Sequence, residues 1–311
     1  MKTTERKDVY GIINDAILAK LQQGIMPWKQ SWNSFGPARN YVSQKPYRGI
    51  NAMLLNHTSS EYPLFLTFSQ VKDLGGTIKK GSKGNLVVFW KKLYYGSNGK
   101  IDPRNLSVNK PEDVTTIPLL RYYYVFNIDC VEGIDFKLPV KNLSLNPLEN
   151  CEQLITAMPN APTIEYGGDE PHYDWMRDKI QIPFLSNFTS EEEYYSTIFH
   201  ELAHSTAHVS RLNRTIKSRP GSKDYAFEEL IAETASCLLC NTTGIADKII
   251  DNSASYIQGW LKTLSNILAD DERFLVKAFA QAQRAADFIL NLHDDEQDEA
   301  KSDLQLEPKG A

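Results

Sequence analysis

The segment His200-Glu201-Leu202-Ala203-His204 sets two imidazoles four residues apart around a glutamate. On a helix, residues i and i+4 stand on one face, so both rings can reach a single ion. Glu201 falls about 100° round from His200, beside such an ion and not on it, where a general base for activated water belongs. Zinc in that position lowers the pKa of its water towards neutrality and polarises a carbonyl, while the glutamate takes up the proton. The chemistry predicted is metal-assisted peptide hydrolysis, with Zn2+ or another divalent transition metal as cofactor. The bland alternative is a surface helix carrying two unremarkable histidines, but chance rarely yields this pattern in a chain with six histidines.

A catalytic zinc takes three protein ligands and keeps one position open. His208 continues the i+4 series, yet three consecutive turns of one helix cannot converge on a tetrahedral ion, so it is given a structural or substrate-side role. The extended metzincin pattern would need glycine at 207 and histidine at 210, where the chain has Ala207 and Ser210. The next candidates lie in Glu228-Glu229-Leu230-Ile231-Ala232-Glu233. This arrangement resembles the glutamate zincins, and the resemblance implies Glu229 as third ligand with Glu233, one turn on, supporting a ligand histidine. Glu233 as the ligand itself stays open. Tyr173 is a candidate oxyanion stabiliser or substrate contact. Cys237-Leu238-Leu239-Cys240 has CxxC spacing, but it is solitary in an apolar helix and reads as buried thiols.

These side chains need rigid carriers. Ser190 with Glu193 has capping-box spacing and is expected to start a helix running through His208. Further helices are predicted over 148–158, 225–240, 253–269 and 272–292, and short strands over 163–166, 172–176 and 179–182. The hairpin at 172–183 would offer an edge for an extended peptide. In the first half, Val9, Ile12, Ile13, Ala16, Ile17 and Leu21 fall at helical spacing, with Gly24 as the stop. Short helices are expected from Asn51 and from Ser69, and strands over 86–95 and 119–128 around a long loop. The fold class predicted is α+β in two domains, a small mixed α/β domain over 1–136 and a mostly helical one with a short sheet over 148–293. Residues 137–147 read as a linker and 294–311 as an acidic disordered tail.

Charge divides along the same line. Residues 1–140 carry 19 Lys and Arg against 11 Asp and Glu, a net of +8, while 141–311 carry 15 against 28, a net of −13. The basic half can attract a polyanion by releasing its counterions. Within it, Trp28, Trp32, Arg39, Tyr41, Lys45, Tyr47 and Arg48 interleave rings and cations, and Lys80, Lys83, Trp90 and Lys91 follow. Rings that stack unpaired bases beside cations that meet phosphates suit single-stranded nucleic acid, whereas no recognition helix or zinc finger is visible for duplex. The competing reading makes the tryptophans core and the lysines a solvated rim. Such binding is expected to weaken steeply with salt and to survive deletion of 147–311. Four scattered cysteines, no apolar stretch long enough for a bilayer and no signal peptide predict a cytoplasmic protein with no membrane partner.

Several motifs together resemble the ArdC-type antirestriction proteins of mobile elements over nearly the whole chain. They are Pro27-Trp28-x3-Trp32-Asn33, Lys45-Pro46-Tyr47-Arg48-Gly49-Ile50-Asn51, Leu66-Thr67-Phe68-x-Gln70, Gly75-Gly76-x3-Lys80-Gly81 and Val125-Phe126-Asn127. The second half adds Tyr173-x4-Asp178-x-Ile180-x2-Pro183, the stretch from His200 to His208 with Arg211-Leu212-Asn213-Arg214, and Glu228 to Glu233. The chain departs from the pattern at Ala207, where glycine is usual, and at Cys130, where glutamine is common. The resemblance implies a single-stranded-DNA-binding domain, a zincin-like metallopeptidase domain and protection of incoming DNA from host restriction. A protein or peptide substrate, such as a component of the restriction system, is the other partner expected. The alternative is a protein that only coats single-stranded DNA, its metal site structural or vestigial.

Overall fold

The protein is described from a computed structural model over residues 8–28, 35–55, 60–97, 99–102, 114–139, 146–214, 219–245 and 254–292. Helix α1 (Val9–Gln22) starts where the Asp8 side chain accepts from the Gly11 N–H, and it buries Ile13, Ile17 and Leu21. After it come β1 (Arg39–Asn40), α2 (Ile50–Leu55), β2 (Leu64–Thr67), α3 (Phe68–Asp73) and β3 (Thr77–Ile78). Thr67 and Gln70 close a capping box that turns β2 directly into α3. Two long strands, β4 (Asn85–Gly96) and β6 (Thr115–Asn127), flank the short β5 (Gly99–Ile101), and β7 (Val131–Glu132) pairs with β3. The expected loop between the long strands therefore contains a strand of its own, and β6 begins four residues early. The main sheet runs β1-β2-β6-β4-β5, antiparallel except for β1 beside β2.

Asn51 explains part of the Lys45–Asn51 motif. Its side-chain amide donates to the Val88 carbonyl at 2.7 Å and accepts from the Val88 N–H at 2.8 Å. One side chain thus completes the outer edge of β4 as a neighbouring strand would.

The second half contains α4 (Pro147–Ala157), β8 (Thr163–Tyr166), β9 (His172–Asp174), β10 (Lys179–Ile182), α5 (Glu191–Ser205), α6 (Lys223–Thr243), α7 (Ala254–Asp270) and α8 (Phe274–Ile289). Its sheet has the order β8-β10-β9, with β8 parallel and β9 antiparallel to the central strand, so β9 and not β10 is the edge beside the helices. Helix α5 stops short of His208. The Ser205 and Thr206 hydroxyls donate back to Leu202 O and Ala203 O, and Arg214 donates to Ala203 O, so the last carbonyls are satisfied without another turn.

The largest core cluster joins both halves of the chain. Ile13, Ile17, Leu21, Trp28, Ile50 and Met53 belong to the same buried group as Leu202, Leu230, Trp260, Leu264 and Phe279. The expected basic and acidic halves share this cluster, while two smaller ones, around Phe65 with Val87 and around Leu66 with Ile128, belong to the first half alone. Arg48 pairs with Asp287 of α8, and the Gly49 N–H donates to Gln283 Oε1 at 3.0 Å, which fastens the start of α2 to α8. Among the described residues, no helix is long and apolar enough to cross a membrane.

Candidate metal centre

Helix α5 carries His200 and His204 on one face, with their Nε2 atoms 3.0 Å apart. Helix α6 packs across it and delivers Glu229, whose Oε2 lies 3.7 Å from His200 Nε2 and whose Oε1 lies 3.7 Å from His204 Nε2. One ligand atom from each of the three fits within a span of 4.8 Å. Bonds of about 2.0–2.2 Å to one ion separate tetrahedral ligand atoms by roughly 3.4 Å, close to the spacing of this donor set, which therefore suits a divalent transition metal. These residues line a cleft of about 390 Å³ together with Tyr173, Trp175 and Tyr225.

Glu201 is 7% exposed. Burial foremost, with the charge of Glu229 adding, raises its carboxyl above the ordinary value, against the pull of His204 and a hydrogen bond from the Tyr173 backbone N–H. A base held in so dry a setting gains affinity for a proton.

Behind His204 stands a relay that sequence reasoning missed. Glu228 Oε1 lies 3.3 Å from His204 Nδ1, which directs Nε2 at the cleft. Arg214 grips the same carboxylate through Nη2 at 2.7 Å and Nε at 3.2 Å, and it donates to Thr206 Oγ1 at 2.6 Å. Burial opposes the Glu228 charge, but His204 and Arg214 outweigh it and hold the carboxyl low. The only hint in sequence was that Glu228 sits beside Glu229 and so projects about 100° away on the same helix.

Glu233, expected one turn beyond Glu229 as the support of a ligand histidine, also reaches Trp28 and α7. Its Oε2 accepts from Trp28 Nε1 at 3.1 Å and its Oε1 accepts from the Tyr256 hydroxyl. Tyr173 lies in the cleft, but its hydroxyl donates to Asp178 Oδ1 at 2.7 Å and receives Arg211 Nη2 at 3.1 Å. His208 stands in the turn beyond α5, its Nδ1 2.8 Å from Ser210 Oγ and 3.8 Å from Asp178 Oδ2. Cys237 and Cys240 are free thiols, and burial pushes Cys240 up to about 12.

Among the residues expected at nucleic acid, two rings are placed elsewhere. Trp28 is wholly buried, edge-on to Trp260 at 5.6 Å, and cannot stack a base. Tyr47 is half-buried against Phe65, and burial pushes its hydroxyl up to about 12. The Arg48 charge is taken by Asp287, and Arg39 is half-buried with Nε 3.4 Å from Pro37 O. Trp32 lies outside the described residues. Lys80 and Lys83 are exposed in the turn before β4, Trp90 is 44% exposed, and Lys91 points to the opposite face of that strand from Trp90. Tyr122 and Tyr124, 41% and 50% exposed, share the Trp90 face because β4 pairs Val88 with Tyr122, Leu86 with Tyr124 and Trp90 with Leu120. They were passed over because a strand rich in tyrosine reads equally well as core.

Residues 149–281 match the family described as zincin-like metallopeptidase, and residues 7–126 match the N-terminal domain of anti-restriction factor ArdC. Fold and site thus define a zincin-like metallopeptidase domain coupled to an ArdC-type N-terminal domain. The solved antirestriction ArdC protein of the R388 plasmid aligns in its Mn(II)-bound form with a TM-score of 0.69 and 31% identity, over 92% of this chain and 98% of that one. Its metal-free form aligns with a TM-score of 0.70 and 29% identity, over 93% and 100%. The chain belongs to the ArdC antirestriction family. An uncharacterised protein of Sinorhizobium fredii is 28% identical over 91% of both chains. Two DNA primases TraC of Escherichia coli are 30% identical over 92% and 97% of this chain, which spans 20% and 29% of their lengths.

Proposed function

We propose that this protein is a zinc-dependent metalloendopeptidase that binds single-stranded DNA and protects the incoming DNA of a mobile element from host restriction. The observation that carries the peptidase is the convergence of His200, His204 and Glu229 beside the buried Glu201. His200, His204 and Glu229 would hold the ion, and two neutral imidazoles with one carboxylate suit zinc. When bound, the ion supplies Lewis acidity to the carbonyl and acidity to water. Glu201 takes the proton of the attacking water and returns it to the amide nitrogen as the C–N bond breaks. The β9 edge, its Tyr173 N–H engaged by Glu201, offers its remaining main-chain groups to the peptide.

The DNA-binding reading is supported by the rings of Trp90, Tyr122 and Tyr124 on one sheet face and by Lys80 and Lys83 beside it. Such rings stack bases without regard to sequence, and the cations meet phosphates. The four free cysteines support work in a reducing cytoplasm. The protective role is supported by the family likeness.

Replacement of Glu201 tests the enzyme. Glu201→Gln is expected to abolish hydrolysis of candidate restriction subunits while the zinc content measured by elemental analysis stays stoichiometric. Undiminished hydrolysis by that variant would remove the peptidase reading, and loss of zinc on purification would remove the ligand assignment.

A further inference from the structure

Two tyrosines line the cleft, and their hydroxyls are committed differently. Tyr173 gives its proton to Asp178 and receives Arg211, whose side chain is 1% exposed. Arg211 is itself fixed by Ser205 O and Asn160 O, both at 2.7 Å. The Tyr173 phenol is therefore part of the joint between the β9–β10 turn and the end of α5. It cannot donate into the cleft without breaking that joint.

Tyr225 is placed otherwise. It lies in the first turn of α6, where its N–H donates to the N-cap Ser222 Oγ at 3.1 Å. Glu229 follows one turn later on the same face. The Tyr225 ring borders the cleft together with His200, His204 and Glu229, and is 37% exposed. Its hydroxyl is thus carried on the helix that supplies Glu229, in the same cleft as the ligand set.

We infer that Tyr225 is a catalytic residue, the hydrogen-bond donor to the oxyanion formed in the hydrolysis proposed above, and the inference rests on that reading. Attack of water makes the C–O bond, sends the water proton to Glu201 and moves the carbonyl π pair onto oxygen. Tyr225 keeps its O–H and points it at that oxygen, so no proton is transferred there. Expulsion of the amine, protonated by Glu201, restores the carbonyl and releases the Tyr225 bond. A donor aimed at charge that develops only in the transition state is worth about 10²–10³ in rate.

The test uses the zinc-loaded full chain and calorimetric binding of N-phosphoryl dipeptides, whose tetrahedral anion mimics the oxyanion, against the matched planar N-acyl dipeptides. Tyr225→Phe is expected to weaken the phosphoryl series by roughly 100-fold, while leaving the acyl series and zinc affinity unchanged. Tyr173→Phe and His172→Ala are expected to keep the discrimination. Wild-type discrimination that survives in Tyr225→Phe overturns this inference alone. So does a loss of zinc affinity with discrimination intact, since Tyr225 would then only orient Glu229, or a loss of discrimination in His172→Ala in its place. A wild-type protein that binds both series equally overturns the peptidase reading and this inference with it.

Discussion

The carboxylates around the cleft differ in their partners, and each predicts a different measurement. Glu228 touches His204 but faces Arg214, so Glu228→Gln should leave the fold intact and weaken zinc binding about 10–100-fold in a competition titration. An unchanged zinc affinity would show that Glu228 orients nothing. At Asp178, partial burial works against the charge, but hydrogen bonds from Arg211 and Tyr173 outweigh it and hold the carboxyl below its usual range. A carboxylate depressed in the folded state adds stability above its unfolded pKa, and that contribution is lost as pH falls through the folded value. Asp178→Asn should therefore cost roughly 2 kcal/mol at neutral pH, because the buried Arg211 keeps its bonds to Ser205 O and Asn160 O but loses its charge partner. The gap from wild type should close as pH drops below about 4. Denaturant melts showing the same gap at both ends of that range would refute the pairing.

At the scale of elements, the segment after α1 matters more than its composition suggests. Trp28 leaves the basic half and fills a slot between α6, α7 and α8, touching Trp260, Phe279 and Glu233. Trp28→Ala should cost about 3–5 kcal/mol in chemical denaturation. Trp28→Phe should cost less, losing mainly the bond to Glu233, and a thermal shift too small to measure for the alanine variant would count against the packing. A ring among cations was read as a base-stacking group because burial leaves no local mark. Asn51 is similar: a polar residue near the start of a short helix gives no sign that it completes the edge of a strand 37 residues away.

For the whole molecule, the shared core changes one expectation. A fragment lacking 147–311 was expected to keep its DNA affinity, but it would strip Ile13, Ile17, Leu21 and Trp28 of their partners in α7 and α8. DNA binding is therefore best measured on the full chain. By fluorescence anisotropy with single-stranded oligonucleotides, Tyr122→Ala with Tyr124→Ala should weaken binding by about 1–3 kcal/mol per lost stack at an unchanged salt slope. Lys80→Ala with Lys83→Ala should lower that slope by about two. Salt-independent binding in the wild type would exclude the phosphate-contact scheme.

The amino-acid sequence alone determined what depends on neighbours along the chain. Periodicity marked α1, α5, α6, α7 and α8, strands β8 and β10 came out at their observed bounds, and the i+4 spacing of His200 and His204 needs only a helix to put both rings on one side. Short strands such as β1, β3 and β7 escaped, since two residues carry no period. What only the tertiary structure decided is every choice between neighbours of like type. Glu228, Glu229 and Glu233 are chemically the same, and the crossing of α6 over α5 turns one towards His204 Nδ1, one towards both Nε2 atoms and one towards Trp28. Tyr173 and Tyr225 are divided in the same way by Arg211, a residue whose partners come from four separate places in the chain. Such choices rest on contacts between residues far apart in sequence, and no local pattern carries them.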